Sequence, residues 1–313
     1  MKIVILGYTG SIGKSILEKL ARNKSFEIAC VGRDIANKFN KNKRIKYFRW
    51  DFNSFEKSNL LFLKKADVII NCTGKTNDNL NNLKNINVIF IKKLLEYISA
   101  FRIKIRLIHL SSVSVYGQEK KFFGQKKIIS ENTLIDASST YSKSKIKADL
   151  LIEDAVKNKI NKNFSFTILR ISNVFGKKKS NLYRYVLFSL KYGFWIKSSN
   201  EIMFNFINEK DVSQAINLVI SKLKIFKNKI YILSDDCKQS DVYKNYNNFY
   251  KKKIINFIFP IKLINFLINY FLIPKILLNF FLTISSRISY SNKKIKKELN
   301  YKPKFSLIKK IYK

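Results

Sequence analysis

Met1-Lys2-Ile3-Val4-Ile5-Leu6-Gly7-Tyr8-Thr9-Gly10-Ser11-Ile12-Gly13 opens the sequence and carries its strongest signal for fold class. Ile3 to Leu6 is apolar without alternation, as expected of a strand covered on both faces. The strand ends in a GxxGxxG turn. Gly7 permits a tight exit from the strand, Gly10 lets the backbone approach a pyrophosphate, and Gly13 lets the following helix pack closely on the sheet. That helix, starting near Ser11, turns its free N–H groups and the positive end of its dipole toward phosphates. A glycine turn on its own is a weak signal. Between an apolar strand and an amphipathic helix it reads as a dinucleotide-binding loop, formed by Gly7, Thr9, Gly10, Ser11, Ile12 and Gly13.

Working outward, short apolar runs recur at Ile28–Gly32, Ile45–Arg49, Val68–Asn71, Arg106–Ser111 and Ser165–Arg170. Between them, Ser11–Arg22, Asn85–Ala100 and Tyr141–Asn158 carry apolar residues at spacings of three and four, the mark of amphipathic helices. Strand–helix alternation predicts right-handed βαβ units and an α/β, Rossmann-type, doubly wound parallel sheet. Residues 1–172 are expected to form this dinucleotide-binding domain. From Asn173 the pattern loosens, and residues 173–313 are expected to form a smaller C-terminal substrate lobe. Within it, 254–282 is rich in Ile, Leu and Phe but interrupted by Asn and Lys and by Pro260 and Pro274. It lacks the ~18 uninterrupted apolar residues of a spanning helix. Two amphipathic helices broken near the prolines are expected, either packed on the lobe or lying in a membrane interface.

The second strand ends in Val31-Gly32-Arg33-Asp34. An acid near this tip binds the ribose 2′-hydroxyl of NAD, whereas a guanidinium suits a 2′-phosphate. Arg33 therefore tilts the expected cofactor toward NADP, and Asp34 leaves NAD open. Asp51 and Phe52 follow the third apolar run, where a carboxylate can accept the adenine amino group. Cys72, Thr73 and Gly74 follow the fourth, where small residues let a cofactor lie across the sheet edge.

Tyr141-Ser142-Lys143-Ser144-Lys145 places a tyrosine and a lysine at i and i+4, on one helical face and roughly 6 Å apart at Cβ. A free tyrosine, with a pKa of about 10, is a poor base at neutral pH. A nearby ammonium favours tyrosinate, which can exchange a proton with a substrate hydroxyl while hydride moves to or from a nicotinamide. Upstream, Leu107-Ile108-His109-Leu110-Ser111-Ser112-Val113-Ser114-Val115-Tyr116-Gly117 runs from a strand into a polar tip. There a serine hydroxyl can bind the reacting oxygen. The register of Val113 to Gly117 favours Ser112 over Ser111. His109, the sole histidine, lies within the strand and reads as a core residue. No metal-ligand cluster is visible.

Together these segments resemble the extended short-chain dehydrogenases/reductases, the NAD-dependent epimerase/dehydratase group. The likeness also includes Asn87 ahead of Leu94-Leu95-Glu96, the stretch Ile168-Leu169-Arg170-Ile171-Ser172-Asn173-Val174-Phe175-Gly176, and Asn205-Phe206-Ile207-Asn208-Glu209-Lys210-Asp211-Val212. It returns in the tail Lys297-Glu298-Leu299-Asn300-Tyr301-Lys302-Pro303. The resemblance implies Ser112, Tyr141 and Lys145 as the catalytic set, with Lys145 also holding the nicotinamide ribose. It implies Asn87 and Ser172 at the cofactor and Asn173 at the substrate diphosphate or sugar. It further implies a nucleotide-sugar epimerase or keto-reductase of surface polysaccharide synthesis, commonly a homodimer. Dehydratases of the group carry an Asp-Glu pair after a Thr where this chain has Ser112-Val113-Ser114, which argues against dehydration. A hydrophobic lid for a steroid-like or lipid-linked alcohol is a second reading. A non-catalytic cofactor sensor or nucleic-acid-binding module is a third, against which the intact Ser112, Tyr141, Lys145 set argues.

The third reading draws on charge. Lys+Arg is 61 against 21 Asp+Glu, a formal net charge of +40 in 313 residues. Such an excess raises nucleic acid or anionic membrane as a partner. The lysines are spread over the whole chain, however, amid Asn, Ile, Phe and Tyr, as adenine- and thymine-rich codons produce by drift. Three distant cysteines, Cys30, Cys72 and Cys237, show no metal-type or disulfide pattern and fit a reducing, cytoplasmic setting. The short apolar opening run is no signal peptide.

Overall fold

The computed structural model describes residues 1–33, 43–50, 61–75, 80–100, 104–117, 125–136, 139–159, 162–177, 181–198, 201–223, 225, 227–251, 255–260, 262, 266 and 286–310. Its centre is a seven-stranded sheet of β1 (Lys2–Leu6), β2 (Glu27–Gly32), β3 (Ile45–Arg49), β4 (Val68–Asn71), β5 (Ile105–Ser112), β6 (Phe164–Ile171) and β7 (Lys229–Leu233). All pair in parallel, in the order β7-β6-β5-β4-β1-β2-β3.

Both faces of the sheet are covered, which is why its strands are apolar throughout. In β1, Ile3 and Ile5 join the core under the Ser11–Leu20 and Glu209–Ser221 helices, beside Ile16, Leu20, Ile216 and Val219. Val4 and Leu6 point the opposite way, into a core under the Phe90–Ala100 and Thr140–Lys157 helices that contains Ile91, Leu94, Ile98 and Ile152. Each such aliphatic side chain taken out of water contributes about 1.5–3 kcal/mol.

The six expected strands are present. The seventh comes from beyond residue 172, as does the Glu209–Ser221 helix that lies against Ser11–Leu20. The helix expected over Asn85–Ala100 opens with one π turn, Asn85–Ile89, before becoming α-helical at Phe90.

The smaller lobe is built of short strand pairs: Asn173–Phe175 with Phe206–Asn208, and Phe194–Ser198 with Ile255–Phe259, both parallel. Its core is aromatic, with Phe175, Tyr183, Trp195, Phe204, Phe206 and Tyr243 packed together. The stretch expected to be helical from 254 opens instead with the strand Ile255–Phe259. Its β-branched and aromatic residues suit an extended chain, and Pro260 ends it. Most of 260–282 lies outside the described residues.

The tail seen in the sequence closes onto the segment around Asp211. The buried Asp211 carboxylate accepts the backbone N–H groups of Lys304 (2.8 Å) and Phe305 (2.9 Å).

Candidate active site

Strand order reverses between β1 and β4, and in open α/β sheets ligands bind beyond the carboxyl ends of strands at this switch point. The Gly7–Gly13 turn leaves β1 there, and Cys72–Gly74 leaves β4 beside it. Gly7 adopts φ +81, a conformation that side chains resist. Its N–H donates to Val31 O at 2.8 Å, which fixes the turn to β2. A Cβ on Gly13 would lie 2.4 Å from Gly7 O and 2.7 Å from Tyr8 Cα, so only glycine lets the helix approach. On Gly10 the nearest atom would be Gly7 O at 3.4 Å, an ordinary contact.

No side chain caps this helix at Gly10. Its first N–H groups, the half-exposed Thr9 and the exposed Gly10 together form a cradle with the donors and the room a pyrophosphate needs. Ser11 Oγ bonds the Glu209 carboxylate, whose other oxygen accepts Lys177 N–H at 3.0 Å. Ile12 is half-buried against the helix-side core.

At the tip of β2, Gly32 faces Tyr8 and Thr9, and a Cβ there would meet their side chains at 3.1 and 3.2 Å. Arg33 follows and is exposed. Asp34, Asp51 and Phe52 lie outside the described residues.

Beyond β4, buried Asn71 organises the turn. Its Oδ1 accepts from Thr73 N–H (3.0 Å) and Thr73 Oγ1 (2.6 Å), and its amide meets His109 Nδ1 at 3.1 Å. His109 is thus a core residue, and burial holds it well below the usual imidazole range. Cys72 is half-buried, and burial raises its thiol to about 12. Asn87 sits on the π turn and is buried. Its amide donates to Ser144 Oγ (2.9 Å) and Lys75 O (3.2 Å), which ties the β4 tip to the next helix.

That helix is Thr140–Lys157, capped by Ser139, whose Oγ accepts Ser142 N–H at 3.1 Å. It carries Tyr141 and Lys145 on one face, as i and i+4 require. Tyr141 hydrogen-bonds Ser112 at the end of β5. Ser112, not Ser111, is therefore the serine at the tyrosine, and its Oγ also accepts Ser114 N–H at 3.2 Å. Burial raises the Tyr141 phenol, the Ser112 bond opposes that rise, and Asp149 adds to it.

Lys145 is buried, and its Nζ donates to Leu110 O at 3.0 Å. Burial lowers this ammonium to about 8, with the Asp149 charge opposing. Nζ also lies against the β4 tip, since a Cβ on Gly74 would come within 3.2 Å of it. Ser112, Tyr141, Lys145 and Gly74 thus converge at the switch point. Ser172 is buried, and Asn173 is exposed at the start of the smaller lobe, its amide donating to Asn205 O at 3.2 Å.

Sequence reasoning passed over a group behind Lys145. Asp149 lies one further turn along the same helical face, fully buried, and its Oδ2 accepts from Arg170 Nε at 3.1 Å. Arg170 Nη1 donates to Tyr116 OH at 2.8 Å, and the guanidinium stands 5.1 Å from the Tyr116 ring centre. Repetition of the four-residue spacing from Tyr141 through Lys145 was the available signal. Among the described residues no cluster of His, Cys, Asp or Glu could hold a metal.

A family model described as the NAD dependent epimerase/dehydratase family matches residues 3–232. No curated protein sequence matches the chain. Among solved structures, UDP-glucuronic acid 4-epimerase from Bacillus cereus, in complex with NAD, superposes with a TM-score of 0.75 at 17% identity, covering 100% of this chain and 96% of that one. UDP-glucose 4-epimerase from Thermotoga maritima, with UDP-glucose, gives 0.72 at 18%, covering 100% and 96%. A dTDP-glucose 4,6-dehydratase from Bacillus anthracis, in complex with NAD, gives 0.73 at 16%, covering 100% and 94%. At such identities the likeness is one of fold. The family match, spanning most of the sequence and both the glycine turn and the Tyr141/Lys145 helix, places this chain in the NAD-dependent epimerase/dehydratase family.

Proposed function

We propose that this protein is an NAD(P)-dependent epimerase or keto-reductase acting at a ring carbon of a nucleotide sugar, in the synthesis of surface polysaccharide. The observation that carries the reading is the meeting of Ser112, Tyr141 and Lys145 beside the glycine turn at the sheet's switch point. When bound, the dinucleotide supplies a nicotinamide that takes or returns a hydride. Gly7 to Gly13 would hold its pyrophosphate, and Asn87, Thr73, Gly74 and Ser172 would line its path.

Tyr141 moves the proton of the sugar hydroxyl. Ser112 hydrogen-bonds the same oxygen and steadies the charge that grows on it. Lys145, charged below about pH 8, favours the phenolate and fixes the nicotinamide ribose. Asn173, at the entrance of the smaller lobe, would contact the sugar or diphosphate. Residues Val113 and Ser114 stand where a dehydratase needs acids, which supports epimerisation or reduction over dehydration. A homodimer fits the family.

Arg33 supports NADP over NAD, because an exposed guanidinium at the β2 tip matches a 2′-phosphate. Arg33→Asp should then reverse the preference by at least about tenfold in Kd, roughly 1.4 kcal/mol.

Native mass spectrometry of the purified protein tests the reading. Retained dinucleotide supports an epimerase, whose cycle regenerates its cofactor. Protein that purifies empty but binds NADPH more tightly than NADH supports a reductase. Failure to bind either dinucleotide at millimolar concentration overturns the proposal.

A further inference from the structure

The smaller lobe carries an apolar surface that the enzymatic reading leaves unused. Seven of the fourteen large hydrophobic residues exposed among the described residues fall on three of its elements, and an eighth, Phe266, lies just beyond them. Phe188 and Tyr192 lie on the last turns of the Asn181–Tyr192 helix, with ring centres 4.5 Å apart, and Phe188 stands 5.9 Å from Phe194. Phe249 and Tyr250 end the Gln239–Tyr250 helix, 4.9 Å apart. Ile255, Phe257 and Ile258 belong to the strand that pairs with Phe194–Ser198, and Phe266 follows. Ile255 N–H donates to Gly193 O at 2.9 Å, so the strand starts next to Tyr192.

Successive strand residues point to opposite faces. Phe257 is 53% exposed and Ile258 is 58% exposed, so the outer strand is exposed on both sides, while Trp195 of its partner strand is buried in the lobe's core. A scattered exposed hydrophobe needs no explanation, but Phe188, Tyr192 and the strand that starts beside them form a contiguous group, which marks a contact surface, and Phe249 and Tyr250 precede that strand by only a few residues.

Charge selects the occupant. From Val242 to Lys297 the sequence contains eleven Lys and Arg and no Asp or Glu. Arg184, Lys191, Lys244, Lys251 and Lys262 are exposed, and Lys191 Nζ lies 5.2 Å from the Tyr192 ring centre. Aliphatic and aromatic side chains rimmed by lysines, with no acid among them, match an anionic lipid surface in which the apolar groups enter the acyl boundary and the ammonium groups meet phosphates. Ile255 and Ile258, unlike the rings beside them, offer nucleobases no π-face and suit acyl chains. Among the described residues no helix is long and apolar enough to cross a membrane.

We propose that the Phe188/Tyr192, Phe249/Tyr250 and Ile255–Phe259 surface docks the protein peripherally on an anionic bilayer through its smaller lobe.

Flotation of the full chain with vesicles tests this. It should float with phosphatidylglycerol/phosphatidylethanolamine vesicles and stay behind with pure phosphatidylcholine, and binding should weaken as salt rises. Phe257→Ser/Ile258→Ser should reduce the floated fraction at least tenfold while dinucleotide binding, which reports folding, is unchanged. Lys191→Glu/Lys251→Glu should do the same without removing any apolar group. Equal flotation with neutral vesicles, no flotation at all, or double variants that float like the parent would overturn the proposal. So would a Phe257→Ser/Ile258→Ser protein whose only change is conversion of a dimer to a monomer, or loss of single-stranded RNA binding. The measurement requires no turnover, so its failure leaves the enzymatic reading standing, and the reverse also holds.

Discussion

Lys145 carries its charge in a place that resists it. Burial lowers its ammonium to about 8, the Asp149 carboxylate one turn away works against that drop, and Leu110 O accepts one of its protons. A lysine with a lowered pKa is charged below that value and neutral above it. The charge proposed to favour tyrosinate is therefore present at neutral pH and lost as pH rises through about 8. In the proposed reaction, kcat/KM should show a falling limb near pH 8. A Lys145→Arg variant, slower overall, should lack that limb because a guanidinium stays charged. Tyr141→Phe should lower kcat by about 10²–10⁴-fold, the usual worth of positioned proton transfer, and leave dinucleotide affinity within about twofold. Comparison of turnover and Kd for the two variants checks both expectations. Tyr141 and Lys145 were legible in the sequence because helical spacing alone puts them on one face. Ser112 was legible from the polar tip of its strand. Asp149 and Arg170 were not: they lie on a helix and a strand, and only folding makes the pair. Asp51 and Phe52 fall outside the described residues.

At the scale of elements, the glycine turn separates two demands that the sequence motif merges. A side chain at Gly13 collides with backbone 2.4 Å away, whereas at Gly10 it meets only an ordinary contact. Gly13→Ala should destabilise the protein by about 1–3 kcal/mol, as overpacking does, and lower its melting temperature. Gly10→Ala should melt close to the parent yet bind dinucleotide much more weakly, since its methyl group takes the space the phosphates need. Calorimetry and a binding titration separate the two. The Asp149–Arg170 pair joins the Thr140–Lys157 helix to β6. Asp149→Ala leaves a buried guanidinium without its counter-charge and should cost ~3–5 kcal/mol in chemical denaturation. The strands β1 to β6 were readable because covered strands are apolar without alternation. β7 was not, because Lys229-Ile230-Tyr231-Ile232-Leu233 is short, opens on a charge and sits in a stretch whose pattern had loosened. The strand Ile255–Phe259 reads as helix in the sequence because an apolar run carries little periodicity to separate the two states.

The whole molecule combines a sheet edge proposed to bind phosphates with a net charge of +40. Such a field draws anions from a distance and is screened over ~10 Å at 0.1 M salt. In the proposed reaction kcat/KM for a nucleotide sugar should fall severalfold between 0.05 and 0.5 M salt, an effect on association more than on kcat. A flat salt profile would assign the charge to compositional drift alone. The order of the sheet also bears on how the protein is made. A ribosome finishes β6 well before it reaches β7, the strand that covers β6's outer edge. During that interval the nascent chain presents an unpaired, apolar strand edge, the kind of template that recruits other chains. A fragment released at residue 172 would keep that edge for good. Expression as two pieces should succeed only if the cut falls after Leu233, so that the first piece leaves the ribosome with its sheet complete.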